Sequence, residues 1–229
     1  MRKLLFITLL STSFFISSEE TISRWMSDYF KRIHDHIGNE NYEKAQYELE
    51  MGNNNYFRNG RTYEAALLYQ LYGQFYAVQS QYTEAVPWFE KALATEKMPR
   101  IGAQEVRFQL AQTYFMIGKY ENVIALLDEF IRVGERYKYP VSARVNLLMS
   151  YSHGRLEQYE PSYFHIKQAN NKSDKPQLDW IEYAFSLAMK LEKLDDAEDL
   201  GTRLLFLEPN KKKYWNQVSA LYFAKEFEV

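Results

Sequence analysis

One spacing constrains this chain more than any other. Tyr82, Ala85, Phe89 and Ala92 stand 3, 4 and 3 residues apart. The same steps recur at Tyr42, Ala45, Leu49 and Gly52, and at Tyr120, Val123, Leu127 and Phe130. They return at Tyr159, Ser162, Ile166 and Ala169, and at Leu194, Ala197, Gly201 and Leu204. Steps of three and four residues align side chains on one face of a helix. A second helical pattern precedes each copy: Tyr69, Tyr72, Gly73 and Tyr76, then Arg107, Leu110, Ala111 and Tyr114, then Arg144, Leu147, Leu148 and Tyr151, then Ile181, Ala184, Phe185 and Ala188. Tyr29, Arg32, Ile33 and His36 form a degenerate copy near the N-terminus, and Trp215, Val218, Ser219 and Tyr222 another near the end. The lead residues Tyr42, Tyr82, Tyr120 and Tyr159 are 40, 38 and 39 positions apart, and Leu194 follows after 35.

The repeating unit is therefore helix, short turn, helix. Such a pair cannot bury its own apolar face, and stacking pair on pair does so. The sequence predicts an all-α chain, an α-α superhelix or solenoid of about five helical hairpins plus a terminal helix, over residues 19–229. A compact bundle of the same helices is the alternative. Small residues in register (Gly73, Ala85, Ala111, Ala197) favour stacking, because they let helices approach closely at repeated points. Pro99, Pro140, Pro176 and Pro209 each fall shortly before a first helix, where a missing N–H costs nothing. Asp174, in the loop "NNKSDKP", is an expected helix cap. Pro87 and Pro161 are placed in the first turn or so of second helices. Gly118 and Gly154 are placed at or near the turns within hairpins, where positive φ is cheap for glycine.

These columns resemble the tetratricopeptide repeat (TPR). Residues 66–99 carry the resemblance best, through Tyr69, Tyr72–Gly73, Tyr76, Ala85, Phe89 and Ala92, with Pro99 slightly late. Residues 178–211 keep Ala197 and "LEPN" but have Phe185 in place of the glycine and Gly201 in place of the aromatic. The resemblance implies an architecture rather than a partner. More finely, a cysteine-free chain with an export leader, "YEKAQYELE" and "KKKYW" is similar to periplasmic TPR proteins of Gram-negative bacteria encoded beside TonB–ExbB–ExbD components.

The leader is read from "MRKLLFITLLSTSFFISSEE". Arg2 and Lys3 precede an apolar core from Leu4 to Leu10, and small residues and then Glu19–Glu20 follow. This layout predicts a secretory signal peptide over 1–18 and a periplasmic location, an uncleaved N-terminal anchor being the alternative. No later segment is long and apolar enough to span a bilayer. The absence of cysteine excludes disulfides, zinc–thiolate sites and thiol catalysis. A formal charge of -2 offers no positive field for nucleic acid.

No catalytic motif stands out. His34 and His36 point to different sides of a helix, and His153 and His165 are isolated in sequence. "DDAED" at 195–199 reads as an acidic first turn of a helix rather than a cation site. "NKKK" at 210–213 reads as a solvated turn. The expectation is a protein without enzymatic activity, cofactor or metal, whose function is a surface. By analogy with TPR proteins, the inner face of the first helices would offer Gln70, Gln74, Phe108, Gln112, Phe115, Met116, Val145, Met149, His153, Glu182, Ser186 and Met189. Amides suit a peptide backbone, and Phe and Met make adaptable apolar pockets. The expected partner is a protein or peptide of the cell envelope. The rival readings are an outer-membrane assembly or wall–division factor, or the non-catalytic helical part of an envelope enzyme. "YWNQVSALYFAKEFEV" is apolar for a terminal helix and is expected to dock another chain or a second copy.

Overall fold

The computed structural model describes residues 22–56, 62–173, 175 and 177–226. The predicted leader at 1–18, Asp174 and Pro176 lie outside them. Among the described residues the chain forms eleven α-helices and no strand. They are α1 (Arg24–Gly38), α2 (Tyr42–Met51), α3 (Tyr63–Val78), α4 (Tyr82–Ala94), α5 (Arg100–Met116), α6 (Tyr120–Tyr137), α7 (Ala143–Arg155), α8 (Tyr159–Asn171), α9 (Leu178–Lys190), α10 (Leu194–Leu207) and α11 (Lys212–Glu226). The second helix of every hairpin opens on the residue that leads its sequence column.

The turns explain that regularity. Glu40, Ser80, Gly118, Glu157 and Glu192 all have φ between 54° and 78°. The next N–H returns to the carbonyl five residues back: Asn41 to His36, Gln81 to Tyr76, Lys119 to Tyr114, Gln158 to His153 and Lys193 to Ala188, at 2.8–3.0 Å. This is the Schellman ending of a helix, which caps one helix and launches the next. Only Gly118 meets its left-handed geometry with glycine. Gly154 lies near its turn, in the last turn of α7, but without positive φ; a β-carbon there would collide with the Tyr183 hydroxyl.

The chain folds as two compact units, Met1–Phe130 and Ile131–Val229, divided within α6. In the first unit α3 is apolar nearly all round and is buried from Ala65 to Tyr69 and from Leu71 to Phe75. Thr62 caps it, its hydroxyl accepting from the Ala65 N–H at 3.2 Å. Antiparallel pairing of α3 and α4 sets Gly73 against Phe89, where a β-carbon on the glycine would stand 2.6 Å from the ring. Beside it Tyr72 and Trp88 stack at 4.0 Å, with Lys91 over the indole at 4.7 Å. Pro87 is not in the first turn of α4 but one turn deeper, where its absent N–H would have met the Thr83 carbonyl. Pro161 does fall in the first turn of α8.

In the second unit Ser150 and Ser162 join α7 to α8. The Ser150 hydroxyl donates to the Ser162 carbonyl at 2.7 Å, and the Ser162 hydroxyl to the Ser150 carbonyl at 2.8 Å. Tyr163, Ile166, Trp180, Ile181, Phe185, Leu187, Leu200, Leu204, Tyr214 and Leu221 form the apolar core across α8 to α11. Here Gly201 on α10 receives Phe185 of α9, with a β-carbon position 3.1 Å from the ring and 2.7 Å from Val218.

Candidate binding surface

In the first unit α3 and α5 are both first helices of hairpins, and an amide contact spans them. Gln70 Nε2 donates to Gln109 Oε1 at 3.2 Å. That bond uses the carbonyl end of Gln109 and leaves its buried Nε2 with no acceptor. One turn earlier on the same face of α5 stands Glu105, half-buried. Burial raises its pKa above the ordinary carboxylate value, and among the described residues no cation offsets it. Gln104 and Arg107, on the neighbouring face, are spoken for: Gln104 donates to the Phe130 carbonyl at 2.8 Å and accepts from Arg107 at 3.0 Å. Phe108 lies 6.4 Å from Phe130, and Phe115 meets Tyr120 edge-on at 5.3 Å, so both are half-buried platforms with one side occupied.

The residues singled out from sequence divide by exposure. Gln70, Phe108, Phe115 and Met116 are half-buried and reach the surface of the first unit. Gln74 and Gln112 are 2% and 4% exposed, and Val145 and Met149 of the second unit 1% each, so a ligand meets them only if their neighbours move. Met189 packs on the second unit's core. Glu182 accepts from the Tyr214 hydroxyl at 2.5 Å and from Lys213 at 3.0 Å, bonds that hold its carboxyl below the usual range and tie α9 to α11. Ser186 is exposed, its hydroxyl turned back to the Glu182 carbonyl at 3.0 Å. Sequence reasoning missed Glu105 and Gln109. Their spacing of four, with Phe108 beside them, was the available signal.

No family model matches the sequence, and no curated protein matches it significantly. Solved structures do. MamA from Desulfovibrio magneticus RS-1, from its residue 41 onward, superimposes with a TM-score of 0.63 at 16% identity, over 84% of this chain and 99% of that one. YrrB, described as a TPR protein with an unusual peptide-binding site, gives 0.64 at 14% identity, over 82% and 89%. A signal-transduction ATPase from Pyrococcus horikoshii with a TPR sensor gives 0.71 at 17% identity; this chain spans 87% of itself but only 33% of that protein. The fold is TPR-like. In TPR terms, Glu105, Phe108, Gln109, Phe115 and Met116 all stand on a first helix, and Gln70 on the one before it.

Among the described residues, the acidic opening of α10 is matched by lysines. Asp195 and Asp196 open α10 as expected, and lysines cover them: Lys225 reaches Asp195 at 2.8 Å and also Glu198, and Lys167 reaches Asp196 at 3.0 Å. His153 and His165 are not isolated, because the α7–α8 hairpin stacks their rings 5.5 Å apart and nearly parallel. His165 also faces Asn146 at 3.3 Å. Burial first, then the His153 and Lys172 charges, push the His165 imidazole down to about 4. Among the described residues no group of three or more His, Asp or Glu side chains is placed to hold a metal ion, and no helix is long and apolar enough to cross a membrane.

Proposed function

We propose that this chain is a non-enzymatic periplasmic adaptor that holds a peptide segment of an envelope partner on the first-helix face of its N-terminal unit. The observation that carries the reading is the pairing of Glu105, a desolvated carboxylate, with Gln109, a buried amide; among the described residues no cation offsets the first and no acceptor meets the N–H of the second. Leaving both unmatched is costly. A peptide supplies both missing partners, a backbone carbonyl for Gln109 and a lysine or arginine for Glu105. Phe108, Phe115 and Met116 border them with apolar surface, and Gln70 keeps a carbonyl for a peptide N–H. The leader predicted over 1–18 and the absence of cysteine favour export. The resemblance read from the sequence, through "YEKAQYELE" and "KKKYW", to TPR proteins encoded beside TonB–ExbB–ExbD is the ground for naming an energy-transduction complex as the partner.

Fluorescence anisotropy with a peptide library graded in lysine and arginine content tests the site. Basic peptides bind, and Glu105→Gln weakens them by about 10- to 100-fold, the worth of a charge-assisted hydrogen bond. Affinity indifferent to both peptide charge and Glu105 would overturn the reading. Fusion of residues 1–30 to a reporter active only outside the cytoplasm tests export.

A further inference from the structure

Helix α11 belongs to the second unit and shares no residue with the α3–α5 surface. Only one side of this helix is buried, by Tyr214, Val218 and Leu221. In the hairpins before it, the column that Ser219 continues is covered: Gly73, Ala111, Leu148 and Phe185 are all buried. Ser219 is exposed, and around it Trp215 is 53% exposed, Tyr222 49% and Phe223 66%. The Trp215 indole is anchored, its Nε1 donating to the Pro209 carbonyl at 2.8 Å, and Leu207, two residues before that proline, is also exposed. This is a pre-ordered apolar surface rather than a set of loose side chains.

The surface also has a charge order. At 100° per residue, Lys212, Trp215, Ser219, Tyr222 and Glu226 share one side of the helix, with Phe223 at its edge. The stripe begins on a cation and ends on an anion. Lys212 and Glu226 are both exposed and make no ion pair among the described residues. When two antiparallel copies of a helix meet, the numbers of facing residues sum to a constant. Centred on Ser219, that sum is 438. Trp215 then faces the second copy's Phe223, Lys212 faces the second copy's Glu226, and serine faces serine where the helices come closest. A small side chain at the crossing, aromatics flanking it and opposite charges at the ends make the stripe complementary to itself.

We propose that α11 is a homodimerisation helix, pairing antiparallel with α11 of a second copy about a two-fold axis at Ser219. One helix of 15 residues is about 22 Å long. With Leu207 at each end it covers an area at the low end of specific interfaces, so the dimer is concentration-dependent.

Sedimentation velocity of the full chain across a concentration series tests this. A monomer–dimer equilibrium is expected, and Ser219→Arg, which sets two cations against each other on the axis, abolishes it while leaving the helical circular dichroism unchanged, and the melting temperature unchanged at low concentration where the wild type is monomeric. Lys212→Glu alone and Glu226→Lys alone each weaken the dimer, and the two together restore it. The sequence has no cysteine, so Ser219→Cys adds the only thiol, and mild oxidation links two chains. A monomer at every concentration overturns the proposal, as does a dimer indifferent to Ser219→Arg. A dimer that the double charge exchange fails to restore overturns the antiparallel register.

Discussion

The hairpin α3–α4 in the first unit and α9–α10 in the second solve one packing problem in opposite senses. In α3–α4 the glycine is on the first helix and the phenylalanine, Phe89, on the second. In α9–α10 the phenylalanine, Phe185, is on the first helix and the glycine on the second. Both place one ring against one bare backbone, and both rings are buried. Between them in sequence, α7–α8 uses neither: the matching positions hold Leu148 and Ile166, both buried, and about one turn away two serines exchange hydroxyl-to-carbonyl bonds. What the fold requires at this height of a hairpin is a close approach with its volume filled. Which helix supplies the bulk is free.

The strongest way to break the comparison is to empty it. Phe89→Ala and Phe185→Ala should each cost about 3–5 kcal/mol, read by urea unfolding. Gly73→Phe alone should be as damaging, since there is no room for its β-carbon. Combined with Phe89→Gly it should recover more than 1 kcal/mol over the sum of the single changes, because the pair then copies the α9–α10 arrangement. If the double variant is no better than the sum, the two hairpins are not equivalent. Next in size is the serine pair. Ser162→Val should cost about 2 kcal/mol, because it removes the hydroxyl's bond to the Ser150 carbonyl and leaves the Tyr183 hydroxyl without that partner.

A pH effect sharpens the contrast, because it belongs to the second unit. The His165 pKa is lowered in the folded chain, to about 4, and lies near 6.5 unfolded. The unfolded chain therefore binds the proton first. The stability is fully present above pH 6.5 and is lost as pH falls towards 4, by on the order of 2 kcal/mol. Comparing unfolding at pH 7 and pH 4.5 should show His165→Asn flattening the slope, and an unchanged slope would reject the assignment. The smallest effect comes from the turns. Glu192→Gly should stabilise by about 0.5–1 kcal/mol, because it relieves a left-handed residue, and Gly118→Ala should destabilise by a similar amount.

Much of this architecture was legible because helical period and repeat period are independent signals that agree. Tyr42, Tyr82, Tyr120, Tyr159 and Leu194 lead their columns and open their helices. The turns were less legible, since glutamate or serine occupies the left-handed position in four of five and carries no turn signature. Gly154 stands near its turn but for another reason than φ: it admits Tyr183, a partner 29 residues away in sequence. The first-helix face was found, but burial was invisible to counting. Column positions 74, 112, 145 and 149 read as surface, whereas packing covers them. Glu105 escaped because a lone glutamate on a helix looks solvated until its surroundings are known.

The inverted glycine–phenylalanine pair carries a consequence for how such a chain can change its length. A recombination that fused α3 to α10 would bring two bare backbones together and leave a hole the size of a benzene ring. The reverse junction, α9 to α4, would drive two rings into one space. Copies that look alike in outline are thus keyed to their own halves, and whole hairpins, not single helices, are the pieces that can be gained or lost.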